Sequence, residues 1–149
     1  MDASAHAGST RLRHARYYLE PGGEADTLVL SAQTARGLAP DLDNLLAAHR
    51  WWASAAPPSE PNTKLALGAA LRLEAILWLE GDMRRLRPVL DAAVEQVDAG
   101  ADRGLGARLL VARGRLRCGQ GELKKGKNDL DRALRIARDE VDFRCEARA

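Results

Sequence analysis

Two short turns, Leu79-Glu80-Gly81-Asp82 and Gly119-Gln120-Gly121-Glu122, place their second-to-last glycines 40 residues apart. Each turn lies between two runs of helical periodicity. Leu109, Ala112 and Leu116 recur at three- and four-residue spacing before the second turn, and Leu123, Leu130, Ala133, Leu134 and Ala137 follow it. Around the first turn, an apolar run from Leu67 to Leu79 leads into Met83, Leu86, Leu90, Ala93, Val94 and Val97. Gly114, Gly126 and Ala133 are small residues placed where two helices would cross closely. Each unit therefore reads as an antiparallel helix pair. One such pair cannot bury its own apolar faces, so the duplication predicts a stack. A weaker third copy lies upstream, with Leu28 to Leu38 as its first helix and Leu42 to Ala55 as its second.

Composition agrees with helices. The 149 residues are rich in Leu, Ala and Arg, and aromatics make up only 4%, so strand-favouring residues are scarce. The formal net charge of +2 is too close to balance to imply strong nonspecific affinity for nucleic acid. Cys118 and Cys145 do not make a disulfide framework, and Cys118 is expected to pack as a small apolar residue. The start has no apolar run of the signal-peptide kind, and no run is long enough to span a membrane. A cytoplasmic setting is the expectation.

Along the chain, residues 1–8 read as a disordered N-terminus and residues 9–149 as one helical-repeat domain. Ser9 or Thr10 can cap a short first helix through Leu19, which Pro21-Gly22-Gly23 stops. Three helix pairs follow, over about 24–56, 62–99 and 102–140. Pro57, Pro58 and Pro61 predict an extended connection, after which Asn62 or Thr63 caps the fourth helix. That helix is apolar on most faces, which places it at the centre. Asp82 and Asp102 are the expected caps of the fifth and sixth helices, and Pro88 should bend the fifth. The seventh is expected to end near Glu140, with Val141 to Ala149 starting another.

The order of residues in these pairs resembles the tetratricopeptide repeat. In the third pair Leu110 stands at the family's first bulky position, Gly114 at its helix glycine and Gly121-Glu122 at its turn. Gly126, Leu130 and Ala133 match its small–bulky–small series. In the second pair Leu73, Leu77, Gly81-Asp82, Leu90 and Ala93 match, while Glu74 replaces the helix glycine and Leu86 the first small residue. In the first pair Ala35, Ala47 and Trp51 match, and Leu42 stands where the turn glycine belongs, followed by the acidic Asp43. The spacings of 39 and 40 exceed the family's usual length of about 34. They resemble the longer repeats in helical arms of bacterial signalling and transcription regulators. The resemblance implies an all-α fold: a right-handed α–α superhelix of about three stacked pairs plus the N-terminal helix, about seven helices in all.

It also implies a protein-interaction scaffold that binds a partner protein or peptide on a concave face lined by the first helices. By position, that face should carry Gln33, Arg36, Arg72, Trp78, Arg108 and Arg115. Arginine forks suit carboxylates, so an acidic partner is expected. The competing reading makes the arginines solvated surface residues and Trp78 a core residue. Of Trp51 and Trp52, which cannot face one side of a helix together, one should pack and the other reach the surface. An apolar face at the open end of a stack also suggests a homo-oligomer.

Chemistry is not foreseen. His6, His14 and His49 have no ligand partners at metal spacing, so no metal is expected. Gly104-Leu105-Gly106 lacks the lysine and strand of a phosphate loop, and Ser54 and Ser59 lack a nucleophile elbow. No cofactor or enzymatic activity is predicted. The basic clusters Arg84-Arg85-Arg87 and Lys124-Lys125-Lys127 open the second helices of two pairs, and leave a nucleic-acid-binding helical domain as the alternative.

Overall fold

The computed structural model describes residues 32–53, 60–98 and 102–146, and all its regular structure there is helical. Helix α1 spans Ala32–Leu38, a 3₁₀ turn Ala39–Asp41, α2 Leu42–Ala53, α3 Glu60–Glu80, α4 Met83–Asp98, α5 Arg103–Gly119 and α6 Leu123–Glu146. The expected helix over 9–19 and the prolines at 57 and 58 lie outside these residues.

Successive helices pack on each other from α2 to α6, and α3 also touches both α1 and α5 while α2 touches α4. Helix α3 is therefore central, as its apolar composition implies. Leu67, Leu73, Ile76 and Leu77 are buried in one continuous core with Leu86, Leu90 and Val94 of α4 and Leu109 and Leu110 of α5. Removing that apolar surface from water is the main favourable contribution to the fold.

The two glycine turns are the same structure at a 40-residue offset. Gly81 and Gly121 hold φ of +73° and +82°, where a side chain is strained. Asp82 N–H donates to the Leu77 carbonyl at 3.0 Å, and Glu122 N–H to that of Arg117 at 2.8 Å. Gly81 N–H donates to Trp78 at 3.3 Å, and Gly121 N–H to Cys118 at 3.1 Å. These bonds satisfy carbonyls that the helix ends would leave bare. Asp82 Oδ1 then accepts from Arg85 N–H at 3.1 Å, and Asp102 Oδ1 from Leu105 N–H at 3.0 Å, so both expected caps form.

Helices α5 and α6 approach most closely. A Cβ on Gly126 would meet the Gly114 carbonyl oxygen at 2.8 Å and the Cys118 sulfur closer still. A Cβ on Gly114 would meet Leu130 Cγ at 2.9 Å. The expectation of small residues at this crossing is met at both glycines.

Three sequence expectations need correction. Helix α3 begins at Glu60, so Pro61 sits in its first turn, where a missing N–H costs no hydrogen bond. Helix α6 runs unbroken to Glu146, since no glycine or proline interrupts it after Gly126. As Leu42 in place of the turn glycine implies, the first pair passes from α1 to α2 through the Pro40-containing 3₁₀ turn instead of a glycine turn. That shifts the register of α2 by one: Ala48 and Trp52 are buried, whereas Ala47 is exposed and Trp51 half-buried.

Candidate functional site

The site forms where α5 lies between α3 and α6. A groove of about 590 Å³ opens there. Its walls are small or aliphatic: Leu71 and Ala75 from α3, Val111 and Ala112 from α5, Leu130 and Leu134 from α6. Three of these stay open to solvent, Val111 at 40%, Leu130 at 36% and Leu134 at 49%. Exposed aliphatic side chains grouped in one concavity mark a contact surface more than scattered ones do.

Charge collects along the groove. Glu74, Arg108 and Arg115 line it. Burial pushes the Glu74 carboxyl above its ordinary range, and the nearby Arg115 and Arg108 pull it back only in part. Burial likewise lowers the pKa of Arg108, with Glu74 opposing. The Arg115 guanidinium lies over the Trp78 ring, 4.8 Å from its centroid. Trp78 is 37% exposed, so it belongs to the surface and not to the core.

Of the six residues predicted for the concave face, Trp78, Arg108 and Arg115 are thus brought together. Arg72 is half-buried and outside the groove lining, with a pKa lowered by desolvation. Gln33 and Arg36 are exposed on α1, away from the groove.

Behind the groove, on the far side of α5, lies an ionic cluster that the sequence reading missed. Arg113 donates to both oxygens of Asp129, from Nη2 at 2.8 Å and from Nε at 2.9 Å, and Arg117 donates to the same carboxylate at 2.9 Å. Both guanidinium groups also reach Asp91 of α4, at 3.3 and 3.2 Å. Burial lowers the Arg113 pKa, but its hydrogen bonds and charge pairing with Asp129 and Asp91 outweigh that and raise it. The cluster ties α4, α5 and α6 together. Its signal in the sequence was the repeat itself. Forty residues earlier, the places of Arg113, Arg117 and Asp129 hold Leu73, Leu77 and Val89, all buried.

The two basic clusters are largely neutralised. Arg85 pairs with Asp82 and Asp43, Arg87 with Glu122 at 2.6 Å, Lys125 with Glu122 and Lys127 with Asp131. Hydrogen bonds from Arg87 and Lys125 hold the Glu122 carboxyl down at about 2.

A second hollow of about 660 Å³ separates α2 from α4 and borders His49, Arg50, Arg84 and Arg85. His49 is buried, and its Nδ1 donates to the Ala66 carbonyl at 3.2 Å, which sets the ring's tautomer. Burial lowers its pKa, which favours the neutral ring. Among the described residues no three His, Cys, Asp or Glu side chains are placed to hold a metal ion, and no helix is long and apolar enough to cross a membrane.

Comparison with family models, with curated proteins and with solved structures finds no match to this chain.

Proposed function

We propose that this chain is a protein-interaction scaffold of the tetratricopeptide type, a right-handed stack of helix pairs that binds a partner protein on the face carrying the α3–α5–α6 groove. The observation that carries this reading is the groove. It has an aliphatic floor open to solvent and is lined by Arg108 and Arg115, the latter stacked on the exposed Trp78. The repeated glycine turn supports the repeat type, because its hydrogen bonds recur at a 40-residue offset. Such arrays present a continuous surface to other polypeptides. The long repeat suits the sensor or oligomerisation arm of a larger bacterial regulator, in a cytoplasmic setting. Nucleic acid is the weaker reading, since carboxylates occupy Arg85, Arg87, Lys125 and Lys127.

The test is affinity capture from the source cell with the wild-type chain and with Arg108→Glu and Arg115→Glu variants, each checked for native helix content. The reading predicts a specific partner that the wild type retains and both variants lose. Equal recovery by all three chains would remove the groove from the account.

A further inference from the structure

We infer that the groove is the seat of a single amphipathic α-helix from another protein, basic on the side that faces α6. The inference rests on the scaffold reading above and adds the partner's form. It comes from asking what occupies the same place one repeat earlier. There the occupant is α5. It shares with Leu90 and Val94 of α4, both 0% exposed, the core that its own Leu109 and Leu110 enter, and it passes so close to Val97 that a Cβ on Gly106 would meet its Cγ1 at 2.6 Å. It also brings Arg113 and Arg117, four residues apart, onto Asp91. Arg87 reaches forward to the turn after α5, donating to Gln120 at 2.9 Å and Glu122 at 2.6 Å.

Forty residues on, each part of that seat is present again. Leu130, Leu134 and Ala137 replace Leu90, Val94 and Val97, and all three are exposed. Asp131 replaces Asp91, half-exposed and paired along its own helix with Lys127, which itself replaces Arg87. The apolar stripe, the carboxylate and the cation therefore stand in the register that α5 fills on the preceding pair. The complement is a helix with apolar residues at the spacing of Leu105, Leu109, Ala112 and Leu116, two basic residues four apart toward Asp131, and an acidic residue past its end for Lys127.

A second copy of the chain is a poorer fit. Among its described helices, α5 alone has this pattern, and α5 is already seated. Helix α3 carries Leu73 and Leu77 where the two arginines are needed.

The α5 sequence itself is then the natural probe. A fluorescent peptide of residues 102–122, with Cys118→Ser to prevent cross-linking, is titrated with the full chain. The inference predicts saturable binding that Leu134→Glu weakens about tenfold or more, as loss of a buried anchor does. Asp131→Arg weakens it several-fold, and a peptide with Arg113→Glu and Arg117→Glu recovers binding to that variant. No binding of the peptide by the wild-type chain, or binding that Leu134→Glu leaves unchanged, overturns the inference. Sedimentation showing a dimer that Leu134→Glu splits would also overturn it, by making a second copy the occupant. If the peptide fails while Arg115→Glu still loses the captured partner, the helical seat falls and the scaffold reading stands.

Discussion

Among the described charged groups, Asp129 is the side chain whose removal should cost this fold most. Its carboxylate is 7% exposed and accepts from Arg113 and Arg117, whose side chains are 12% and 18% exposed. Replacing it with asparagine keeps the shape and removes the charge. Two nearly buried guanidinium groups are then left to share Asp91, which is 35% exposed. Breaking one partner out of a buried ion cluster costs about 3–5 kcal/mol, a large share of the roughly 5–15 kcal/mol that holds a domain together. At this chain length 1 kcal/mol corresponds to about 2–4 °C, so Asp129→Asn should lower the melting temperature by roughly 6–20 °C. The repeat supplies the counter-experiment. The triple variant Arg113→Leu, Arg117→Leu, Asp129→Val installs the residues found forty positions earlier, which are buried there without charge. Swapping a buried ionic cluster for well-packed apolar groups is often neutral or stabilising by about 1–4 kcal/mol. Urea unfolding followed by circular dichroism reads both variants. The reasoning fails if Asp129→Asn costs less than about 1 kcal/mol, or if the triple variant loses as much as the single one.

At the closest helix crossing, Gly126→Ala should lose about 1–2 kcal/mol, since overpacking against the Gly114 carbonyl exceeds the gain in helix propensity. Gly68→Ala, where an added methyl meets open space, should gain about 0.4–1 kcal/mol, and chemical denaturation separates the two signs. The Glu122 carboxyl is held at about 2 against an ordinary 4.5, so its contribution is fully present above pH 4.5 and is lost as pH falls toward 2. Thermal melts across that window should fall less steeply for Glu122→Gln than for the wild type. His49 has a lowered pKa, so its neutral form is favoured on folding and stability drops as pH falls below the ordinary 6.5. His49→Leu should flatten the melting profile between pH 7 and pH 5.

What the sequence made legible follows from which residues announce themselves. Gly81 and Gly121 need positive φ, and the acidic residues after them cap or close the next helix, so both turns were readable. The crossing of α5 and α6 was readable for a related reason, because only glycine fits at 114 and 126. The first pair was not. Without a turn glycine nothing marks the register, and Ala47 with Trp51 matches the pattern as well as Ala48 with Trp52 does. The helix break expected at Val141 rested on a changed pattern of apolar residues, with no residue that stops a helix. Trp78 was ambiguous because a tryptophan on an apolar helix fits a core and a surface equally, and the Arg115 stacking that places it depends on the neighbouring helix. The Arg113–Arg117–Asp129 cluster stayed hidden because charged residues read as solvated by default. Only alignment of one pair on the other shows that they stand at buried positions. The same alignment shows that Leu130, Leu134 and Ala137 of α6, which stand at the places of Leu90, Val94 and Val97, are open to water.

Methyl NMR on the full chain, titrated with the residue 102–122 peptide, tests the central claim most directly. The account predicts that the methyl signals of Val111, Leu130 and Leu134 shift together and saturate while those of Leu90 and Val94 stay fixed. Shifts centred on Leu90 and Val94, or no shifts at all, would contradict it.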